Sequence, residues 1–183
     1  MRVFVTGASG WIGSAVVPEL TGAGHHVLGL ARSDSSAAAI AAAGADVLRG
    51  DLDDLDTLRA GAASSDGVIH LAFIHDFTDF EASVRADRRA IETIGAALEG
   101  SGKPLVIASG TPVVPGRVAT ERDETASGSP VAARAANARA AVGMEERGVR
   151  SSVVRLPRTV HGDGDHHGFI ARLVAIARDK GVS

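Results

Sequence analysis

The stretch TGASGWIG (residues 6–13) directly follows the apolar run MRVFV and sets the expectation for the whole fold. Its glycines recur at every third position, where a first strand would pass into a first helix. Glycines there permit a tight turn, a close approach of backbone to phosphate, and close packing of the helix on the sheet. Backbone N–H groups and the positive end of the helix macrodipole suit an anion. The pattern predicts a turn that binds a dinucleotide pyrophosphate, with an ordinary structural loop as the alternative. The residues predicted to contact the dinucleotide here are Thr6, Gly7, Ser9, Gly10, Trp11, Ile12 and Gly13.

Short apolar, β-branched runs alternate with Ala-rich stretches along the chain. Because the apolar runs are continuous, they are typical of strands buried on both faces of a parallel sheet. The pattern predicts an α/β fold, a doubly wound parallel sheet (Rossmann) of about six strands with helices on both faces. Strands are predicted over residues 2–5, 26–30, 46–49, 67–72, 104–109 and 151–156, and helices over 11–23, 35–43, 53–62, 80–99, 130–147 and 169–180.

Length, net charge and cysteine content indicate which kinds of partner the protein binds. A chain of 183 residues can form one main domain, and its net charge of -3 and pI near 6.1 disfavour nucleic acid or an anionic membrane as partner. The chain contains no cysteine, so there is no disulfide framework and no thiolate metal site. No leader pattern and no apolar run of about 20 residues occurs. We therefore expect a cytoplasmic protein that acts on a small molecule.

The end of the second predicted strand bears on which dinucleotide is bound. An acidic residue there would accept hydrogen bonds from the ribose hydroxyls, whereas an arginine would pair with a 2′-phosphate. The sequence GLARSD puts Ala31 where the acid is expected, followed by Arg32 and Ser33. This favours NADP over NAD, with Ser33 as a second phosphate contact. NAD stays open, because Asp34 would be the ribose acid if the strand ended three residues later.

Four segments in this order, TGASGWIG, RGDLDD, GVIHLAF and VVRLPRTVHGDG, resemble the extended and atypical short-chain dehydrogenase/reductases of the NAD-dependent epimerase/dehydratase type. The resemblance extends over nearly the whole chain. It implies a nicotinamide dinucleotide-binding domain over residues 1–156 and the start of a substrate-binding region over 157–183. It also implies further cofactor contacts, at Asp51, Leu52, Leu71, Ala72, Phe73, Pro157 and Val160, and a hydroxyl against the substrate carbonyl at Ser109.

The chain departs from this resemblance in the residues that transfer the proton. These enzymes use a tyrosine phenol, with a lysine four residues later that lowers the phenol pKa and holds the ribose. This sequence contains no tyrosine, and the two positions fall on Pro130 and Arg134. Arginine can keep the ribose contact and the charge but is too basic to relay a proton. We expect the usual pair to be absent, and a native protein that continues beyond Ser183.

The segment HGDGDHHG (residues 161–168) offers two alternatives. Its histidines and aspartates suit a divalent metal, yet a glycine-punctuated loop gives them no fixed geometry. We favour a polar active-site loop without metal. His161 or His167 is a candidate proton donor, because imidazole titrates near neutrality. Bound water and a group beyond Ser183 are the other candidates. His70, inside an apolar strand, is expected to be a satisfied core histidine.

These observations support two functional hypotheses. The first is an oxidoreductase-like enzyme that moves hydride between NADP(H) and a small carbonyl or alcohol. Ser109 and Thr111 would bind the substrate oxygen, and Arg134 would hold the ribose. The second is a catalytically silent module that senses NADP(H) and signals to a partner protein. The helices predicted at 80–99 and 130–147 either pair two subunits in a homodimer or stay solvated.

Overall fold

The computed structural model describes residues 1–76, 78–112, 114–126, 128–129, 131–157, 159–165 and 168–182. Six parallel strands form one sheet in the order β3-β2-β1-β4-β5-β6. The strands are β1 (Arg2–Thr6), β2 (His26–Ala31), β3 (Asp46–Arg49), β4 (Gly67–His70), β5 (Pro104–Gly110) and β6 (Arg150–Leu156). The helices are α1 (Gly13–Gly22), α2 (Asp34–Ala42), α3 (Leu55–Ala63), α4 (Phe80–Leu98), α5 (Ala132–Val142), a 3-10 helix (Gly143–Arg147) and α6 (Phe169–Lys180). This is the predicted doubly wound fold.

The two faces of the sheet bury separate apolar clusters. Neighbouring residues of a strand point to opposite faces, so Phe4 and Val5 of β1, both 0% exposed, belong to different clusters. Phe4 packs with Leu58 of α3 and Ile91 of α4 on one face, while Val5 packs on the other face. Burying each such side chain contributes about 1.5–3 kcal/mol. The continuous apolar runs are therefore strands covered on both sides, as their composition predicts.

Two of the departures from the predicted boundaries concern the fourth strand and the helix predicted over 130–147. The fourth strand ends at His70, two residues before the predicted end, level with Thr6, which is the last residue of the neighbouring β1. Leu71 donates to the Thr6 carbonyl at 3.2 Å and Ala72 to the Thr6 hydroxyl at 3.3 Å. The chain thus leaves the strand to follow the first turn. The helix predicted over 130–147 is α5 followed by the 3-10 helix, and Pro130 lies outside the described residues.

The last helix lies on the surface. None of the residues of α6 is buried, and Phe169, Leu173 and Ile176 are all largely exposed. In the part of the chain that the structure describes, no helix is both long enough and apolar enough to cross a membrane.

Candidate functional site

Strand order reverses between β1 and β4, which lie side by side in the centre of the sheet. The chain continues from β1 to β2 on one side, and reaches β4 on the other side only after α3. At such a point the loops that follow the two strands diverge and leave a crevice at the carboxyl ends, where doubly wound proteins bind ligands. The segment 6–13 follows β1 and residues 71–76 follow β4, so both predicted contact segments border this crevice.

The turn after β1 has no room for side chains at two of its glycines. Gly7 has φ 69°, and a Cβ there would lie 2.7 Å from the Ala72 backbone nitrogen. A Cβ on Gly13 would lie 2.1 Å from the Gly7 carbonyl oxygen. The close approach at Gly13 is thus to the turn itself, whereas the sequence suggested the sheet. At Gly10 a Cβ would meet only the Gly7 oxygen, at 3.2 Å, among the described residues. Gly10 is thus less crowded than Gly7 and Gly13, although a Cβ there would still contact the Gly7 oxygen tightly.

The helix that follows this turn begins without a side-chain cap. Its N-cap residue is Ile12, which supplies no side-chain hydrogen bond. By contrast, the N-termini of α2, α3 and α4 are capped by Ser33, Asp54 and Asp79. The first N–H groups of a helix have no partner within the helix, and they carry its positive dipole end. The backbone nitrogens of Ser14, Ala15 and Val16 already donate to carbonyls of the turn. The N–H groups that the start of α1 can offer to an anion are therefore those of Trp11, Ile12 and Gly13.

The end of β2 has the residues expected of the ribose-binding position. The strand ends at Ala31, which is 1% exposed, and Arg32 follows with an exposed side chain. The Ser33 hydroxyl accepts from the backbone nitrogen of Ser36 at 3.2 Å and so caps α2. Asp34 lies in the first turn of α2 and forms an ion pair with Arg49. The charged residue that directly follows the strand end is therefore an arginine.

A buried polar chain connects the turn to α4 and α5. The Thr6 hydroxyl lies 2.8 Å from His70 Nδ1, and His70 Nε2 lies 3.2 Å from Asp87 Oδ1. The Asn137 amide donates to Asp87 Oδ2 at 2.7 Å and to the Val84 carbonyl at 2.9 Å. His70 is 2% exposed and has partners at both ring nitrogens, so it is the satisfied core histidine that the sequence predicted. These hydrogen bonds connect α5, through Asp87 of α4 and His70 of β4, to Thr6 at the start of the turn.

A second cluster lies where the chain leaves β4. The Arg134 guanidinium carbon is 4.0 Å from the centroid of the Phe73 ring, and the His75 ring meets the same ring edge-on with centroids 5.4 Å apart. Burial lowers the pKa of Arg134, and the Asp87 carboxylate opposes that shift. Arg134 Nε is buried without a hydrogen-bond partner in the described part of the chain. A half-buried cation thus stacks on an aromatic ring beside an imidazole.

The pKa of His75 is below its usual value. Partial burial lowers it most, although the residue reaches solvent, and the charge of Arg134 lowers it further. A hydrogen bond with the Phe73 backbone opposes both effects. His75 is not among the site residues predicted from the sequence. Its position in the segment HLAFIHD could have indicated a role in the site. It is a titratable residue just beyond the carboxyl end of a central strand, and ligand-binding residues concentrate there.

The hydroxyl residues after β5 lie at the same edge of the sheet. Ser109 is the residue before the last in β5, is 8% exposed, and pairs in register with Arg155 of β6. Thr111 is exposed, and its backbone nitrogen donates to the Leu156 carbonyl at 3.0 Å. Because β5 is the neighbour of β4, both residues border the crevice from the side opposite β2.

A comparison with known proteins identifies the family, because the model of the NAD dependent epimerase/dehydratase family matches residues 3–181. The chain belongs to the NAD-dependent epimerase/dehydratase family. This confirms the resemblance seen in the four sequence segments.

Two relatives of this epimerase/dehydratase family member come from yeasts. An uncharacterised protein of Schizosaccharomyces pombe is 46% identical over 185 residues, covering 100% of this chain and 62% of the relative. An uncharacterised protein of Saccharomyces cerevisiae is 47% identical over 186 residues, with 100% and 62% covered. Among solved structures, the UDP-glucose 4-epimerase of Thermus thermophilus in complex with NAD has a TM-score of 0.76 at 25% identity. That match covers 100% of this chain and 64% of the other. The chain spans less than two thirds of each relative's length.

Two of the predicted cofactor contacts, Asp51 and Leu52, have structural roles of their own. The Asp51 carboxylate accepts from the backbone nitrogens of Asp53 and Asp54, at 2.9 Å and 3.1 Å, and so shapes the loop after β3. Leu52 is 8% exposed and belongs to the larger apolar cluster. Their contacts with a cofactor stay a prediction.

The segment after β6 lies against Trp11, in the turn at residues 6–13. A Cβ on Gly162 would lie 3.2 Å from Cζ2 of Trp11, and one on Gly164 would lie 3.9 Å from Cζ3. Pro157, Val160 and His161 are exposed in the same segment. The loop therefore packs on the indole that stands next to the predicted phosphate site.

The predicted metal alternative and one predicted proton donor involve residues outside the described part. His166, His167, Pro130 and Arg158 are among these residues. Within the described ranges, no three His, Asp or Glu side chains come together as metal ligands would.

Proposed function

We propose that this protein binds a nicotinamide dinucleotide across the carboxyl ends of β1, β2 and β4. The observation that carries the proposal is the turn at residues 6–13, where backbone fills the space of a Cβ at Gly7 and Gly13, and where a Cβ at Gly10 would also meet the Gly7 oxygen, at 3.2 Å. The uncapped start of α1 supplies donors for a pyrophosphate. Family membership supports the same conclusion, as does the likeness to an epimerase in complex with NAD.

The dinucleotide is NADP rather than NAD in this proposal. Arg32 follows the buried end of β2 with an exposed side chain, and a guanidinium pairs well with a 2′-phosphate. Asp34, the acid nearest in sequence, starts α2 and is engaged by Arg49. No carboxylate in the described segment 31–33 is available to bind both ribose hydroxyls.

The reaction is a hydride transfer between the dinucleotide and a small carbonyl or alcohol substrate. When bound, the nicotinamide supplies the hydride chemistry, and the protein orients and polarises the substrate. Ser109 and Thr111, at the end of β5, donate hydrogen bonds to the substrate oxygen. Arg134 holds the nicotinamide ribose from α5, and the loop that packs on Trp11 covers the phosphates. The buried chain from Thr6 to Asn137 keeps α5 in register with the turn.

Binding can be measured with the protein's own tryptophan. Trp11 is the only tryptophan of the chain and stands beside the turn, so its fluorescence reports directly on an occupied site. Titration with NADPH and with NADH should quench it, with the tighter affinity for NADPH. No change of fluorescence or melting temperature with either compound would refute the binding proposal.

A second function, a silent NADP(H) sensor, is favoured by one observation, the absence of tyrosine from the chain. Cofactor binding needs the glycine turn and Arg32 but no proton donor. Turnover separates the two functions. A protein that binds NADPH tightly but oxidises none of it with a panel of aldehydes, ketones and quinones is a sensor and not an oxidoreductase.

A further inference from the structure

Arg134, Phe73 and His75 form a cluster. Its imidazole, His75, has no role in the proposed function so far. Phe73 and His75 follow β4, and Arg134 comes from α5. The three side chains meet with Arg134 Cζ 4.0 Å from the Phe73 centroid and the His75 ring at 5.4 Å and 77° to the Phe73 ring. This places an imidazole at the carboxyl edge of the central strands, on the side of the crevice that faces α5.

The cation of this cluster lies close enough to the imidazole for its charge to act on it. Asp87 is the acid that acts on Arg134, but its two oxygens are already engaged by His70 and Asn137. Asp87 offsets part of the Arg134 charge, and that charge still acts on His75, where it disfavours the imidazolium. A cation that lowers the pKa of a nearby acid–base group is the same electrostatic device as a lysine beside a tyrosine, with an imidazole in place of the phenol.

We propose that His75 is the acid–base group of this site and that Arg134 is its charge partner, so that the pair replaces the absent tyrosine and lysine. This inference rests on the proposed function, because it needs a dinucleotide and a carbonyl or alcohol substrate in the crevice. It assigns the proton transfer to a residue of the β4 loop instead of the loop at residues 161–168.

The step balances in both directions. In reduction, the carbonyl carbon accepts a hydride from the reduced dinucleotide, and the carbonyl oxygen takes a proton from the imidazolium of His75. The products are an alcohol, the oxidised dinucleotide and neutral His75. In oxidation, neutral His75 takes the hydroxyl proton while the carbon gives up the hydride. Because His75 reaches solvent, it can exchange the proton with water between turnovers.

The charged groups around His75 define its expected pH dependence. Arg134 approaches from α5, and Asp76 and Asp79 are neighbours in sequence. The Asp76 carboxylate accepts hydrogen bonds from the backbone and the hydroxyl of Thr78, and the Asp79 carboxylate caps α4. Both carboxylates therefore have hydrogen-bond partners within the loop and the first turn of α4. Since the pKa of His75 is lowered, its imidazolium is lost at a pH below the usual value near 6.5. Reduction should slow as the pH rises through that pKa, and oxidation should slow as the pH falls through it.

The first test measures His75 without any substrate. Its imidazole resonances are assigned by comparing the wild type with His75→Gln, and are then followed by NMR against pH. We expect the pKa of His75 to rise in Arg134→Gln and to stay low in Arg134→Lys, which keeps the charge. An unchanged His75 titration in Arg134→Gln, in a protein that melts as a folded domain, overturns the pairing.

The second test measures turnover across pH. General acid–base catalysis contributes about 100-fold to 10,000-fold, so His75→Gln should lose at least about 100-fold in kcat. Dinucleotide affinity, read from Trp11 fluorescence, should stay near that of the wild type. His25→Gln, at the amino-terminal edge of the sheet, is the matched control and should turn over normally. His161→Gln tests the alternative donor.

The outcomes separate this inference from the proposed function. If wild type and His75→Gln both bind NADPH and turn over equally, or if only His161→Gln loses turnover, His75 is not the acid–base group. If wild type binds NADPH but never turns over, the acid–base assignment also fails while cofactor binding stands. If wild type binds neither dinucleotide, the proposed function itself fails.

Discussion

Substituting Gly13 by alanine is the sharpest test of the turn at the head of α1. The new Cβ would lie 2.1 Å from the Gly7 oxygen and 2.6 Å from the Ala8 oxygen, both backbone atoms, whereas ordinary contact begins at 3.4 Å. Overpacking of this kind costs about 1–3 kcal/mol, and the backbone partners place this case at the upper end. The turn must then open, which displaces the N–H groups that would hold the pyrophosphate.

The expected magnitude follows from that free energy. For a domain of this size, each 1 kcal/mol lowers the melting temperature by roughly 2–4 °C, so Gly13→Ala should melt roughly 6–12 °C lower. An equal loss in binding free energy corresponds to about a 100-fold weaker Kd for NADPH. Thermal denaturation followed by circular dichroism measures the first quantity, and quenching of Trp11 fluorescence measures the second.

Gly22→Ala is the matched control, since it makes the same substitution in the same helix. A Cβ there meets nothing within 4 Å, and alanine is a better helix former than glycine by about 1 kcal/mol. We expect this variant to be at least as stable as the wild type and to bind NADPH equally well. If Gly13→Ala behaves like Gly22→Ala in both assays, the turn is not the close-packed cradle described here.

Three further substitutions test other parts of the site. Arg32→Asp should weaken NADPH binding by about 10-fold to 100-fold, because a charged hydrogen bond contributes about 1.5–3 kcal/mol. NADH binding should stay equal or become tighter. Equal losses of affinity for both dinucleotides would contradict the role of Arg32. Asn137→Ala should lower the free energy of unfolding in urea by about 1–3 kcal/mol, because Asp87 loses a buried donor, and an unchanged midpoint would exclude that role. Gly162→Val should push its loop off Trp11, because even a Cβ would lie 3.2 Å from the indole, and shift the fluorescence to the red; an unshifted spectrum would show that the loop does not rest there.

Local pattern made the fold and the glycine turn after β1 predictable. Continuous apolar runs such as RVFV mark strands that are buried on both faces, and the structure buries Phe4 and Val5 of that run completely. The glycine spacing in TGASGWIG depends only on residues within one turn of chain. Such signals survive in the sequence because the interactions that produce them join near neighbours.

Boundaries were less predictable where distant segments compete for hydrogen bonds. The run GVIHLA reads as one strand, yet β4 ends level with the last residue of β1, and Ala72 donates to the Thr6 hydroxyl, far away in the sequence. The same partner, Thr6, is a predicted cofactor contact whose hydroxyl is taken up by His70 and Ala72 inside the protein. Neither interaction can be read from the sequence, because each joins Thr6 to residues that are far away along the chain.

The sequence by itself determined the doubly wound architecture, the glycine turn after β1 and the lack of a tyrosine. Only the tertiary structure brought Arg134 onto the ring of Phe73 with His75 at its edge. That contact depends on how α5 packs beside the end of β4, and Asp87 and Asn137 hold the helix there through buried hydrogen bonds. Packing between elements far apart in the chain leaves no periodic trace in the sequence, so this electrostatic neighbourhood exists only in the folded protein.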